Sequence, residues 1–144
     1  MNKLDNFIKK DNMPVNYSGI KIIDNQKLLK FVDNLNDDWR KIAHHVTIKM
    51  GKLPDELVVQ KGKKVDIIVT HIGEIVNKAI AVKVDINKKL KIEENRTHHI
   101  TLAVNEKEKI KPIMSNKIQK WEPLEKPIKL KGIISEFTED GENM

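Results

Sequence analysis

Two six-residue segments, His44–Lys49 and His98–Ala103, both open His-His-apolar-Thr-apolar and together hold four of the five histidines. No other feature restricts the fold as much. A β-strand sends successive side chains to opposite faces. Extended, the first segment puts His45 and Thr47 on one face and His44, Val46 and Ile48 on the other. The second puts His99 and Thr101 on one face, with His98, Ile100 and Leu102 behind them. Each strand then carries an imidazole and a hydroxyl two residues apart, backed by an apolar face fit for burial. Two such strands facing one another make a compact site of two histidines and two threonines.

The rest of the chain supplies strands to hold them. Residues 1–16 are polar and read as an N-terminal arm or short helix ending near Pro14. Tyr17–Ile23 reads as a strand, and Asp24 or Asn25 as the N-cap of a helix carrying Leu28, Leu29, Val32 and Leu35 on one stripe. The first histidine strand, Ile42–Met50, ends at Gly51, and Leu53–Leu57 reads as a turn or short helix. Val65–Gly73 and Ala79–Ile86 are β-branched runs joined around Val76-Asn77, the pattern of a hairpin. Asn87–Thr97 is charged and expected to be exposed, and His98–Val104 is the second histidine strand. Lys111–Asn116 reads as a loop before a helical turn to Trp121, Pro127–Ile134 as a last strand, and 138–144 as an acidic tail. Trp39 and Trp121 are assigned to the core. Six strands with hairpin links and two or three short helices predict an α+β fold with mainly antiparallel sheets.

At 144 residues the chain forms one domain spanning 1–144. It has no cysteine, which removes disulfides, thiolate nucleophiles and cysteine-based zinc sites. Its apolar runs are far shorter than the ~20 residues of a membrane span. The first residues lack the apolar core of a signal peptide, so a cytoplasmic monomer is expected. The net charge of +6 comes almost wholly from lysine. It favours phosphate-bearing partners, although a general lysine, asparagine and isoleucine bias explains it as well.

Two His-x-Thr pairs among five histidines would arise by chance in about one sequence in a hundred. The plainer alternative is that these residues decorate an exposed sheet face. A metal site built from His45, His99 and His71 is a weaker alternative, because no carboxylate sits at a ligand spacing. The chemistry that two facing units suit is phosphoryl transfer without metal or other cofactor. Histidine titrates near neutrality, so one ring can take a proton while the other gives one. The two threonine hydroxyls can hold the phosphate oxygens as charge develops.

The segments His45-Val46-Thr47 and His99-Ile100-Thr101 resemble the paired motifs of the 2H phosphoesterases, the LigT-like family. The likeness extends loosely from Tyr17 to Phe137, and Lys111–Gly132 looks like the cyclic phosphodiesterase branch of fungal-type tRNA ligases. It implies a two-lobed, pseudo-symmetric fold around a central cleft, with His45, His99, Thr47 and Thr101 catalytic. It also implies opening of a 2′,3′-cyclic phosphate on an RNA end or nucleotide, leaving a 2′-phosphate. Two other readings stay open: degradation of cyclic di- or oligonucleotide defence signals, as phage-encoded members do, and a non-catalytic RNA-binding module. Tyr17, Ser115 and Asn116 are candidate substrate contacts, through base stacking and hydrogen bonding, beside plainer roles in strand-edge packing for Tyr17 and in a turn for Ser115 and Asn116. His44 and His98 are read as structural, and His71 as a surface or core residue.

Overall fold

The computed structural model describes residues 14–86 and 97–138. Seven strands and two helical turns follow in chain order: β1 Tyr17–Ile22, α1 Gln26–Leu29, β2 Trp39–Lys41, β3 His45–Met50 and α2 Asp55–Val58. Then come β4 Lys64–Ile75, β5 Ala79–Ile86, β6 His99–Asn105 and β7 Trp121–Phe137. Short 3₁₀ turns continue α1 over Lys30–Val32 and cover Glu106–Glu108 and Pro112–Lys117.

The strands form one sheet in the order β2-β6-β3-β1-β7-β4-β5, and β5 also pairs with β6. Six strands therefore close into a barrel, with β2 attached outside along β6. All pairings among the described residues are antiparallel. The antiparallel α+β expectation holds, in a strongly sheet-rich form. Closure leaves no open edge within the ring of six.

Alternation explains the core. Ile20 and Ile22, Val46 and Ile48, Ile67 and Val69, Val82 and Val84, Ile100 and Leu102, and Leu130 and Ile134 pack together in one cluster. Each pair occupies one parity of its strand, so these side chains enter the barrel and the intervening ones face out. Full burial of each such side chain contributes about 1.5–3 kcal/mol. Helices of four residues are unstable alone. Leu28 and Val32 from the first helical segment, and Leu53 and Leu57 around α2, hold them against this core.

Several boundaries differ from the sequence expectation. The last strand begins at Trp121, not Pro127, and runs 17 residues to Phe137. Its prolines are tolerated because β1 pairs only with 132–137, leaving the earlier part a single neighbour, β4. Leu124–Pro127 form a bulge there, between Pro123 opposite His71 and Ile128 opposite Val69. Asp24 does not cap α1. Its carboxylate accepts from the Lys131 amide at 2.9 Å and pairs with Lys27, tying the helix start to β7. The expected hairpin is present as β4 and β5, turning at Asn77 with φ +63°. Asn16, assigned to the arm, already donates its amide to the Phe137 carbonyl at 2.7 Å. Thr138, assigned to the tail, is buried. The arm over 1–13, the charged segment 87–96 and the tail over 139–144 lie outside the described residues.

Candidate active site

β3 and β6 meet at one bridge pair, Val46 opposite Ile100. Antiparallel pairing at that point sets His45 beside Thr101 and His99 beside Thr47. The two His-x-Thr units are thus exchanged by a local two-fold axis through the bridge. Val46 and Ile100 enter the barrel, while the four motif side chains stand on its outer face and line a cleft of about 350 Å³. Tyr17 and Asn116 line the same cleft, and the Pro112–Lys117 turn forms one wall.

The local two-fold extends to the next strand on each side. On β1, Lys21 is opposite His45 and Gly19 is opposite Thr47. On β5, Lys83 is opposite His99 and Ala81 is opposite Thr101. Each histidine therefore has a lysine as its outer neighbour, and each threonine has a small residue. A Cβ at Gly19 would run into the Val46 carbonyl, so only glycine lets β1 approach β3 behind the first motif.

His44 corrects the sequence reading. It was assigned to the core side, away from His45, yet the two Nδ1 atoms lie 3.0 Å apart. β3 starts at His45, and Ala43 before the doublet has φ +45°, so strand alternation does not reach His44. The backbone turns there to direct the Ala43 amide to the Thr101 carbonyl and the His44 carbonyl to the Ile22 amide. The His44 ring packs edge-on against His45 and 5.6 Å from Phe137.

Tyr17 completes the enclosure of His45, with ring centroids 4.8 Å apart, and itself stacks on the buried Phe137 at 4.7 Å. This apolar box holds the His45 pKa down at about 4, chiefly by desolvation and then by the charges of His44 and His99. Burial, followed by the Lys21 charge, also lowers His44. Burial raises the Tyr17 phenol, which stays protonated at neutral pH. His45 is therefore a neutral imidazole at pH 7, with Nε2 3.1 Å from the Thr47 hydroxyl.

Around the second motif the supports differ. The Thr101 hydroxyl lies 2.9 Å from that of Ser115 and donates to the Pro112 carbonyl at 3.4 Å. Ser115 is fully buried behind Thr101 and is not part of the cleft lining, whereas Asn116 is exposed at the rim. Trp121 departs from the core assignment. It is half-buried over Gly73, with its ring 6.5 Å from His99, while Trp39 does pack against the core. His98 has Nε2 buried, and its carbonyl accepts from the Val84 amide at 3.0 Å. His71 lies two strands from His99, opposite Lys83.

Sequence reasoning thus missed His44, Phe137, Trp121, Lys21 and Lys83. The lysines reach the histidines only through strand register, at unequal separations along the chain, so no motif marks them. Among the described residues, no three His, Asp or Glu side chains are placed to share a metal ion. No protein-family profile matches the chain, and no curated protein is significantly similar to it.

Proposed function

We propose that this chain is a metal-independent phosphodiesterase that opens 2′,3′-cyclic phosphates of RNA ends or nucleotides. The observation that carries the reading is the pairing of both His-x-Thr units across one bridge, with all four side chains lining one cleft. β3, β1 and β7 make one half of the barrel and β6, β5 and β4 the other. On this reading the two halves stand for the two lobes that the 2H resemblance implies.

The supports around the two histidines differ, and this favours His45 as the base and His99 as the acid. His45 is neutral at pH 7 and takes the proton of the attacking water at Nε2. The water oxygen bonds to phosphorus as the bond from phosphorus to one ribose oxygen breaks, and His99 gives its proton to that oxygen. Leaving by the 3′ oxygen, as the resemblance implies, yields a 2′-phosphate. On binding, Thr47 turns its hydroxyl proton from His45 Nε2, and Thr101 turns its own from the Pro112 carbonyl, to the non-bridging oxygens, whose charge grows in the transition state. The protons on His45 and His99 then re-equilibrate with solvent.

The test is turnover, in EDTA, of an RNA ending in a 2′,3′-cyclic phosphate and of a cyclic-dinucleotide panel. Wild type is compared with His45→Ala and His99→Ala. Opening of the RNA end, abolished by either substitution, is the expected result. Cleavage confined to cyclic dinucleotides moves the protein to signal degradation. No turnover of either rejects both proposed substrates and favours the non-catalytic RNA-binding module.

A further inference from the structure

A row of basic side chains leads away from His99 on the outer face of the barrel. Lys83 of β5 is opposite His99, and His71 of β4 is opposite Lys83. The β4 register shifts between Val69 and His71, with Thr70 as the extra residue, and this turns His71 to the same face as Lys83. Thr70 fixes the pair. Its hydroxyl donates to the Lys83 carbonyl at 3.4 Å and accepts from His71 Nδ1 at 2.8 Å, so Nε2 is the nitrogen that would take up a proton and donate to an approaching phosphate.

Lys83 is half-buried, yet it takes part in no ion pair among the described residues. Asp85, two residues along the same face, is exposed and not within ion-pair distance. With no carboxylate paired to it among the described residues, the Lys83 ammonium is left to attract an anion. On the first half, Lys21 repeats the arrangement beside His45.

Taking the phosphodiesterase reading for the cleft itself, we infer that Lys83 and His71 form a second phosphate subsite beyond His99. The ligand is then a nucleotide chain carrying at least two phosphates, not a single nucleotide. Strands lie about 4.8 Å apart, so Lys83 stands one spacing and His71 two spacings from His99. That distance suits the phosphate next to the one being cleaved. A linear RNA end and a cyclic oligonucleotide both present such a neighbouring phosphate.

Binding is measured across a salt series for three probes: a short single-stranded RNA ending in a 2′-phosphate, a cyclic dinucleotide and a nucleoside 2′-monophosphate. The proteins are wild type, Lys83→Gln, His71→Asn and Lys129→Gln, the last removing an equal charge from the far side of β4. Wild type is expected to prefer a two-phosphate probe. Lys83→Gln should cut that preference about ten-fold and lower the salt slope for RNA by about 0.7. His71→Asn should act in the same direction. A loss confined to linear RNA assigns a strand end, and one confined to the cyclic dinucleotide assigns a cyclic ligand. Unchanged preference and slope in both variants, or a loss matched by Lys129→Gln, overturns the subsite. Turnover separates the two claims. Lys83-dependent binding without hydrolysis sinks the phosphodiesterase reading alone, and hydrolysis with Lys83-independent binding sinks the subsite alone.

Discussion

The Nδ1 atoms of His44 and His45 lie 3.0 Å apart, so one of the two rings carries the proton between them. When His45 carries it, its Nε2 presents a lone pair toward Thr47 and the cleft, which is the tautomer a base needs. Burial and the Lys21 charge keep His44 neutral and able to accept. On the phosphodiesterase reading, His44 is a positioning residue for His45.

His44→Phe keeps a ring against Phe137 and removes the acceptor. We expect kcat to fall about ten-fold, the scale seen when partners behind functional histidines are lost, with KM little changed. Nitrogen NMR of the His45 ring should change from one tautomer to a mixture. An unchanged kcat together with an unchanged ring spectrum would remove His44 from this role.

The enclosure of His45 makes stability depend on pH in a defined sense. Its folded pKa of about 4 lies below the ordinary 6.5, so between those values the unfolded chain binds more protons than the folded one. Stability is complete above pH 6.5 and falls as the pH drops toward 4. The loss from His45 is roughly 3 kcal/mol, and His44 adds to it with the same sign. Denaturant unfolding from pH 7 to 4.5 should show this loss, and His45→Gln should flatten it. The acid limb of kcat/KM should likewise fall well below 6.5. A limb at 6.5 with equal pH sensitivity in His45→Gln would contradict the buried neutral ring.

Much of this arrangement was legible in the chain, and the gaps have physical causes. The β4–β5 hairpin followed from β-branched runs broken at Asn77, and the motif strands from alternation of His and Thr with Val, Ile and Leu. Closure of the barrel depends on β6 finding both β3 and β5, a long-range choice that no local pattern encodes. Tyr17, a candidate for base stacking or for strand-edge packing, lines the cleft and packs its ring on His45 and Phe137. Ser115 was placed in the right loop, yet it is buried behind Thr101. Trp121 was assigned to the core on aromatic character alone. Its position follows from the early start of β7, which the prolines at 123 and 127 concealed.

Gly19 gives a test of the backbone behind the first motif. A methyl group there meets the Val46 carbonyl carbon and oxygen, and backbone atoms have little room to yield. Gly19→Ala should cost roughly 3 kcal/mol, read by denaturant unfolding. Val46 lies between His45 and Thr47 and bridges to Ile100, so the folded fraction should also lose activity. Wild-type stability in Gly19→Ala would mean that β1 and β3 are further apart than this packing requires.

The two threonines are held differently, and this predicts unequal responses to losing their supports. Thr47 contacts the ring of its own motif at 3.1 Å, whereas Thr101 is held from outside by Ser115 at 2.9 Å and by the Pro112 carbonyl at 3.4 Å. Ser115→Ala removes one hydroxyl from a buried position and lets Thr101 rotate. Loss of one such neutral hydrogen bond costs about 1 kcal/mol, so kcat/KM should fall several-fold through Thr101. Thr101→Val removes the phosphate donor itself and should cost more. In the double variant the Ser115 substitution should add almost nothing, because its effect passes through a hydroxyl already absent. Thr47→Val combined with Ser115→Ala should instead show both losses multiplied. Kinetics of the three single and two double variants on one cyclic-phosphate substrate decide the matter. Additive losses for Ser115 and Thr101 would place Ser115 in contact with substrate, at odds with its burial between Thr101 and the Pro112–Lys117 turn.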